Sequence, residues 1–361
     1  MNILMMAAGT GGHIFPALAV ADELAKRGAT IHWLGTPTGM ENELVAKHAY
    51  QMHHVQMQGL RGKGIARLVK LPLMLFKAVM NAKKVIETHH IDVVMGFGGY
   101  VTAPGGLAAK IAKKPLIIHE QNAIVGMSNK NLARYADKVL QAFDGAFNGG
   151  FGERLITVGN PVRADITQVA PPHLRYDVSD VSSLKVLVVG GSLGAKAIND
   201  AVVALLRLSD KPLTIKHQCG KNHHDDMLIA YSQAGIDTSI HVFEVLPFID
   251  DMAAAYAWAD VIVCRAGALT VSEIASVGIA PIFIPLPTAV DDHQTFNAKT
   301  LTDNGAGILL PQNELSGERL AKILGSLDRK QCLDMANNAR AFAKADTTKQ
   351  VADIVERVIK E

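Results

Sequence analysis

Two glycine-rich segments have the residue types that bind phosphate. Residues 9–13 (GTGGH) follow the apolar run 3–7, and residues 190–194 (GGSLG) follow the apolar run 186–189. A glycine loop at the start of a helix lets backbone N–H groups approach an anion at the positive end of the helix dipole. We therefore expect two strand–loop–helix units that could each bind a phosphate group. For either loop taken alone, a tight strand-to-helix turn without a ligand is the alternative.

Neither loop matches the common nucleotide-binding fingerprints. The dinucleotide pattern G-x-G-x-x-G fails because Ile14 occupies its last position, and Gly35-Thr36 stands where a ribose-binding acid would follow the second strand. The P-loop pattern G-x4-G-K-[ST] does not occur in the sequence. NAD and P-loop ATP binding are therefore not expected, and the phosphate ligand has to be of another kind.

Parallel strands joined by helices must position these loops. Short runs rich in Val, Ile and Leu alternate with helical patterns, which predicts an α/β fold with buried parallel strands. The chain of 361 residues is long enough for two domains, each with its own doubly wound sheet. A helix is expected from near Pro16 to Gly28. The predicted strands are 3–7, 30–34, 92–95, 115–118, 138–141 and 155–158, then 185–189, 213–218, 240–242, 261–264, 281–284 and 307–309.

Composition restricts the partners. Lys and Arg number 36 against 34 Asp and Glu, so no whole-molecule field would attract nucleic acid. The three cysteines lack the spacing of a disulfide framework or a zinc site, and a reducing compartment is expected. No signal-peptide pattern opens the sequence, and no apolar run reaches the ~20 residues of a membrane span. The adjacent histidines at 53–54, 89–90 and 223–224 are expected to be exposed and to bind no metal.

An ordered set of motifs over essentially the whole chain resembles the MurG family of bacterial N-acetylglucosaminyltransferases. The set comprises residues 10–16 (TGGHIFP), 59–64 (GLRGKG), 98–106 (GGYVTAPGG), 119–122 (HEQN), 159–163 (GNPVR), 190–192 (GGS), 264–273 (CRAGALTVSE) and 291–298 (DDHQTFNA). The resemblance implies a GT-B glycosyltransferase, with two Rossmann-like domains facing across a cleft. They would span 1–163 and 164–344, and a last helix near 345–361 would complete the first domain.

The implied reaction is an inverting transfer. N-acetylglucosamine would pass from UDP-N-acetylglucosamine (UDP-GlcNAc) to the C4 hydroxyl of the muramyl sugar of lipid I, giving lipid II, without a cofactor. Two alternatives stay open. One is a different GT-B enzyme, such as a glycolipid transferase or a sugar-nucleotide epimerase, and the other is a non-catalytic subunit that binds a sugar nucleotide or recruits partners to the membrane.

By the same resemblance, the donor is bound mainly by the second domain. Glu273 would accept both ribose hydroxyls, with a first-turn helix acid as its alternative. Ser192 would bind the diphosphate, with a plain N-cap as its alternative. Leu193 and His293 depart from the family pattern, in which amide side chains are frequent. The expected donor set is Thr10, Gly11, Gly12, Asn122, Arg163, Ser192, Ile249, Ala268, Leu269, Thr270, Val271, Ser272, Glu273 and Gln294.

The implied chemistry needs a base for the attacking hydroxyl and stabilisation of the departing UDP. His13 titrates near neutrality and Glu120 ends a predicted strand at the same edge, so both are candidate bases. His13 could instead bind an acceptor phosphate, and Glu120 could instead fix a loop. The sequence contains no Asp-x-Asp motif. No metal is therefore expected, and helix N-termini with Ser192 would stabilise the leaving group.

The lipid acceptor of this family implies a surface that faces the membrane. Between residues 67 and 84, apolar residues alternate with Arg and Lys, which is typical of an interfacial segment on anionic lipid. An amphipathic helix packed on the sheet is the alternative. The resemblance implies a peripheral protein on the cytoplasmic face of the inner membrane, with other cell-wall enzymes as candidate partners. The expected acceptor and membrane residues are Tyr100, Leu75, Phe76, Val79, Lys70 and Lys77.

Overall fold

A computed structural model describes residues 1–57, 65–191 and 194–361, and for residues 65–70 it describes the backbone alone. The described chain forms two compact units. The N-terminal unit comprises Met1–Arg163 and Lys344–Glu361, and the C-terminal unit comprises Ala164–Ala343. Each unit is built around one sheet, and the strand pairings described in both sheets are parallel.

The sheet of the N-terminal unit has seven strands in the order β3-β2-β1-β4-β5-β6-β7. The direction of strand succession therefore reverses between β1 and β4. The strands are β1 (Asn2–Met6), β2 (Thr30–Gly35), β3 (Gln51–His54), β4 (Val93–Gly96), β5 (Leu116–Glu120), β6 (Lys138–Gln141) and β7 (Leu155–Thr157).

The sheet of the C-terminal unit has six strands in the order β10-β9-β8-β11-β12-β13, and it reverses between β8 and β11. The two sheets thus repeat one topology, as the paired glycine loops predict. The strands are β8 (Leu184–Val189), β9 (Leu213–Gln218), β10 (Val242–Leu246), β11 (Val261–Cys264), β12 (Ala280–Phe283) and β13 (Ile308–Leu309).

The helices are named in chain order. They are α1 (Gly11–Lys26), α2 (Glu41–Ala46), α3 (Ile65–Thr88), α4 (Thr102–Ile111), α5 (Met127–Leu132), α6 (Ala164–Thr167), α7 (Pro172–Arg175), α8 (Lys196–Leu208), α9 (His224–Gln233), α10 (Met252–Trp258), α11 (Ala268–Val277), α12 (His293–Thr302), α13 (Gly317–Ser326), α14 (Arg329–Ala341) and α15 (Thr347–Lys360). None of the described helices combines the length and the apolarity needed to cross a membrane.

The sheet of the N-terminal unit is covered on both faces. On one face, Ile3 and Met5 pack in a buried cluster with α1 and with Val351 and Val355 of the last helix. On the other face, residues of α3 and α4 bury the alternate strand positions. The start of α15 is also anchored, because the Thr347 hydroxyl donates to the Val158 carbonyl at 2.8 Å.

Three element predictions need correction. Helix α1 begins at Gly11 rather than near Pro16, because Thr10 is extended and its carbonyl accepts from the His13 N–H at 3.1 Å. Strand β3 was not predicted, since its sequence QMHH is polar and half-exposed at the sheet edge. Strand β10 begins at Val242, where the 240–242 prediction ends, because parallel pairing with β9 carries it to Leu246.

Candidate active site

The loops after β1 and β4 meet where the N-terminal sheet reverses. Gly9 turns the chain out of β1 at φ +96°, and Gly98 and Gly99 turn it out of β4 at φ +103° and +84°. A Cβ built on Gly99 would lie 2.2 Å from the carbonyl oxygen of Ala8, so this close approach requires glycine. Ligands of open α/β sheets bind outside the carboxyl ends of the strands at such a reversal.

His13 lies in the first turn of α1, against the loop that follows β4. A Cβ built on Gly98 would lie 2.8 Å from His13 Cδ2 and 2.9 Å from Nε2, so the imidazole fills the space that glycine leaves. Its Nδ1 is 3.3 Å from the Thr10 hydroxyl oxygen. The ring is half-buried, while the neighbouring Gly12 is exposed. A titratable group therefore stands at the carboxyl edge of the sheet, beside the amides of a helix N-terminus.

Glu120 ends β5 with its carboxylate enclosed by donors. One oxygen, Oε1, accepts from the Asn122 backbone N–H at 3.0 Å and from its side-chain amide at 3.1 Å. The other, Oε2, accepts from the Gly126 N–H and from the Asn129 side-chain amide, both at 3.0 Å. With four donors and 2% exposure, this geometry favours the loop-fixing alternative for Glu120 over the role of base. Asn122 is held in place by the same carboxylate.

Two of the sequence motifs, 119–122 and 159–163, are joined by a buried network. His119 Nε2 donates to the Gly159 carbonyl at 2.9 Å, which leaves Nδ1 to accept from the Gln121 amide at 3.1 Å. The Asn160 amide donates to the Gln121 carbonyl at 3.0 Å. Burial lowers the pKa of His119 to about 4, so its ring is neutral at physiological pH. Arg163, from the second motif, ends the first of the two chain segments that form this unit.

Glu41 was missed in the sequence analysis, although it supports the first glycine loop. Its carboxylate is fully buried and accepts from the Gly9 N–H at 3.3 Å, from the Thr36 N–H at 2.8 Å and from the Thr36 hydroxyl at 2.7 Å. In the sequence, Glu41 resembles an ordinary first-turn helix acid. The nearby glycine at position 39 is the feature of the sequence that reflects this burial. A Cβ at Gly39 would lie 2.1 Å from the Glu41 carboxylate oxygens, so a side chain there would collide with the buried acid.

In the C-terminal unit, the loop after β8 is also constrained by glycine. Gly191 has φ +85° and Gly194 has φ +76°, and a Cβ on Gly194 would lie 2.2 Å from the Cys219 carbonyl oxygen. The Gln218 amide donates to the Gly191 carbonyl at 3.0 Å, which ties this loop to the end of β9. Ser192 and Leu193, and with them the expected hydroxyl contact to the diphosphate, lie outside the described residues.

The neighbouring loop after β11 leads into helix α11. Gly267 is its N-cap, no side chain caps it, and no acid lies in its first turn. The first N–H groups of a helix have no carbonyl partner within the helix, so the amides of Leu269 and Thr270 are suited to an anion. Val271 and Ser272 differ from them. The Val271 N–H donates to the Gly267 carbonyl and its side chain is buried, while the Ser272 hydroxyl donates to the Ala268 carbonyl.

Glu273 is the sixth residue of α11, so the first-turn alternative stated for it does not apply. Its side chain is 8% exposed, and Oε2 accepts from the Tyr256 hydroxyl at 2.9 Å. The carboxylate also acts on the adjacent Cys264, whose thiol pKa is raised by burial first and by the charge of Glu273 second. The position combines a buried acid, one neutral donor and the nearby helix N-terminus.

Two further members of the expected donor set, Ile249 in a loop and Gln294 in a helix, belong to this unit. Ile249 lines a recess of about 290 Å³ together with Leu246, Phe248 and Ala255. Gln294, in the first turn of α12, accepts from the Leu286 N–H through Oε1 at 3.0 Å. This bond orients its side-chain amide with the NH₂ group as a donor for a ligand oxygen.

The proposed membrane segment is corrected in part. Val79 is 6% exposed and belongs to the core, and Leu75 packs half-buried against that core. Among the described side chains of α3, the large apolar ones that are exposed are Leu73, Phe76 and Met80, at the 3- and 4-residue spacing of one helix face. Lys77 and Tyr100 are exposed as well, whereas the side chain of Lys70 lies outside the described residues.

Comparison with protein families identifies both halves of the chain. The glycosyltransferase family 28 N-terminal domain matches residues 3–141, and the family 28 C-terminal domain matches residues 185–358. A UDP-N-acetylglucosamine--N-acetylmuramyl-(pentapeptide) pyrophosphoryl-undecaprenol N-acetylglucosamine transferase of Psychrobacter cryohalolentis is 60% identical over 355 residues, covering 98% of both chains. The protein of the same name from Aeromonas hydrophila is 49% identical, covering 99% of this chain and 97% of its own.

Comparison with solved structures gives the same family and the same fold. The crystal structure of Acinetobacter baumannii MurG superposes with a TM-score of 0.86 at 41% identity, covering 99% of both chains. CalG4, the calicheamicin glycosyltransferase, shares the fold at 15% identity with a TM-score of 0.68, covering 100% of this chain and 98% of its own. The predicted GT-B class and the predicted family resemblance are both confirmed.

Proposed function

The chain belongs to glycosyltransferase family 28, and we propose that it catalyses the reaction for which its relatives are named. It is a UDP-GlcNAc-dependent N-acetylglucosaminyltransferase that converts lipid I to lipid II in peptidoglycan synthesis. The structural observation that carries this assignment is the acid-free N-terminus of α11, with the buried carboxylate of Glu273 one turn behind it. Such a pair suits a diphosphate next to a ribose.

The donor is assigned mainly to the C-terminal unit. The amides at 268–270 and the loop at 190–194 hold the diphosphate, and Glu273 accepts from the ribose hydroxyls. The recess beside Ile249 takes the uracil. The amides of Gln294 and Asn122 serve the sugar hydroxyls. The remaining N-terminal contribution comes from Thr10, Gly11 and Gly12 at the start of α1 and from Arg163.

His13 is the proposed base. The C4 hydroxyl oxygen of the muramyl sugar attacks the anomeric carbon, its proton passes to the imidazole, and the bond from that carbon to the diphosphate oxygen breaks. UDP leaves with the electron pair, and because the hydroxyl attacks from the opposite face, the anomeric carbon is inverted and the product is β-linked. Glu120 acts as a positioning residue that holds Asn122 and residues 121–126. Support for this division comes from the four donors around Glu120 and from the half-buried ring of His13.

The departing diphosphate is stabilised by helix N-termini, without a metal ion. Each helix N-terminus carries a partial positive charge, which stabilises an anion more strongly in a partly buried site than in water. Turnover that persists in excess EDTA is the expected result, and activity that returns only with added Mg²⁺ would overturn this point.

The exposed face of α3, defined by Leu73, Phe76 and Met80 with Lys77 beside it, is the proposed membrane surface. It would hold the protein peripherally on the cytoplasmic face of the inner membrane, where the lipid-linked acceptor is. Tyr100, exposed after β4, would stand next to the acceptor. Other cell-wall enzymes are proposed partners at this membrane.

A turnover assay tests the function directly. Purified protein is incubated with lipid I and UDP-GlcNAc, and both UDP release and lipid II are measured by mass spectrometry. Equal amounts of UDP and lipid II are expected. UDP release without lipid II would indicate another transferase or an epimerase, and donor binding without any turnover would indicate the non-catalytic alternative.

A further inference from the structure

Three histidines that are far apart in the sequence converge at one edge of the N-terminal sheet. His32 is the third residue of β2, His53 is the third residue of the edge strand β3, and His89 directly follows the end of α3. His32 is buried, and the other two are half-buried. The expectation that His53 and His89 are solvent-exposed is therefore corrected: both are half-buried, with part of each side chain still in contact with solvent.

Strand register explains why the first two rings lie on one face. His32 pairs with Gln51 and Leu34 pairs with His53. Since side chains alternate along a strand, positions 32, 34, 51 and 53 point to the same side. That side is the one covered by α3, whose Ala82 and Ile86 pack with Leu34 in the same buried cluster. His89 then reaches the group from the end of that helix.

The ring nitrogens are close enough to share one ion. One nitrogen of each ring lies within 4.8 Å of the others, and His32 Nδ1 is 3.1 Å from His53 Nε2. The ring centroids are 4.6 to 5.3 Å apart. In a tetrahedral zinc site with Zn–N bonds of ~2.0–2.1 Å, ligand nitrogens lie roughly 3.4 Å apart. Small rotations of these rings would therefore reach ligand geometry.

We propose that His32, His53 and His89 form a binding site for one divalent metal ion of the zinc class. Three imidazoles select Zn²⁺ or a similar transition metal rather than Mg²⁺ or Ca²⁺, which prefer oxygen ligands. A solvent molecule completes the tetrahedron, since His53 and His89 are half-exposed.

Two of the three rings, His32 and His53, favour the neutral form that a metal ion binds. Burial, followed by the neighbouring histidines, lowers the pKa of His53 to about 4, and burial also lowers the pKa of His32. Neutral imidazole has a lone pair for the ion. Without a metal, one ring must donate to another across the 3.1 Å contact, and the ion would replace that interaction.

The site would have a structural effect rather than a catalytic one. Its ligands lie on β2, on β3 and after α3, whereas His13 follows β1 and Glu120 ends β5. A bound ion would tie the four-residue edge strand to the end of the helix that carries the exposed apolar face. The proposal is independent of the transferase reaction, and its failure would leave the proposed function intact.

Cobalt and zinc titrations of the full-length, tag-free protein test this site. We expect one Co²⁺ per chain with the visible d–d absorption of a tetrahedral site, displaced by one equivalent of Zn²⁺. His53→Ala and His89→Ala should weaken Zn²⁺ binding by more than about 100-fold, since even loss of an outer-shell partner costs roughly 10- to 100-fold. Zn²⁺ should raise the Tm of the wild-type protein but not of these variants.

His54→Ala is the matched control, because His54 neighbours His53 but pairs with Asn42 at 2.7 Å. Its Zn²⁺ affinity should stay within about threefold of the wild-type value, on the scale of ordinary surface changes. Circular dichroism of each variant establishes that it is folded. The proposal is overturned if the wild-type protein shows no tetrahedral Co²⁺ spectrum. It is equally overturned if Zn²⁺ binding survives unchanged in folded His53→Ala and His89→Ala.

Discussion

The two sheet reversals have one topology but different chemistry. In the N-terminal unit, helix α1 starts directly after Thr10, so the titratable His13 lies in its first turn beside Gly98. In the C-terminal unit, helix α11 starts after Gly267 with no ionisable side chain in its first turn. One reversal therefore presents a group that can accept a proton, and the other presents amides that can only stabilise negative charge.

Two buried carboxylates, one in each unit, show a related difference. Glu120 is surrounded by four N–H donors, which fix a loop and occupy both oxygens. Glu273 accepts from the neutral hydroxyl of Tyr256, at the side of the helix whose amides suit a phosphate. This difference is the basis on which we propose that the N-terminal unit acts on the reacting hydroxyl and the C-terminal unit binds the nucleotide.

The largest expected effect is that of His13→Ala on catalysis. Loss of a positioned base should lower kcat by about 10²- to 10⁴-fold, with little change in the Kd of UDP-GlcNAc. Steady-state kinetics and donor calorimetry check the two quantities separately. In His13→Asn, which keeps a hydrogen-bonding side chain, kcat should stay low, and the acidic limb of the pH–rate profile should vanish. A variant with normal kcat and a raised KM for lipid I would instead assign His13 to acceptor binding.

A smaller effect, on binding rather than on kcat, is expected for Glu273→Ala. Hydrogen bonds to a charged acceptor are worth about 1.5–3 kcal/mol, so the Kd of UDP should rise about 10- to 100-fold. Tyr256→Phe removes only the hydroxyl that donates to this carboxylate and should raise the Kd of UDP a few-fold. Isothermal titration calorimetry with 2′,3′-dideoxy-UDP provides the control. This ligand lacks the ribose hydroxyls, so the wild-type protein and Glu273→Ala should bind it with equal Kd. An unchanged Kd of UDP in Glu273→Ala would contradict the assignment of Glu273 to the ribose hydroxyls.

Each unit also contains a buried neutral histidine that should destabilise it in acid. Burial lowers the pKa of His119 and of His217 to about 4, against an ordinary value of about 6.5 in the unfolded chain. The unfolded chain therefore binds more protons below pH 6.5, and stability falls as pH drops from 6.5 towards 4. By pH 5 the loss is about 2 kcal/mol for each histidine.

Urea unfolding at pH 7, 6 and 5 measures this loss. His217 is the counterpart of His119 in the C-terminal unit, because both ring nitrogens of each histidine have hydrogen-bond partners. In His217, Nε2 lies 3.0 Å from Asn199 Oδ1 and Nδ1 lies 2.8 Å from the Tyr231 hydroxyl oxygen. His119→Gln should flatten the pH dependence of the N-terminal unit alone, and His217→Gln that of the C-terminal unit alone. Stability that is constant from pH 7 to 5 would exclude the buried neutral state of both rings.

The smallest effect is expected at the surface of α3. Phe76→Ser removes the most exposed apolar side chain of that face, at 62% exposure, and should weaken binding to anionic vesicles about tenfold. Leu208→Ser, at an exposed apolar position of the C-terminal unit, is the control and should bind as the wild-type protein does. Sedimentation with vesicles at low and high salt measures both. Equal losses in the two variants would mean that the N-terminal unit has no special membrane surface.

Most strands could be predicted because their signal is local. The runs 138–141, 213–218 and 261–264 each contain two or three consecutive Val, Ile, Leu or Thr residues, and the observed strands have the same bounds. The edge strand β3 escaped prediction because its pattern is polar and its pairing with β2 is a long-range contact. The start of α1 was misplaced because Pro16 is a common helix-start signal, yet here it lies in the second turn.

The sequence by itself determined the two α/β halves, the glycine loops that end β1 and β8, and the family, because these depend on residue order and on neighbours along the chain. Only the tertiary structure decided which groups are available for chemistry. It surrounded Glu120 with donors, buried Val79 while exposing Phe76, and brought His32, His53 and His89 together. The physical reason is that burial and hydrogen-bond partners come from residues distant in sequence, which no local pattern encodes.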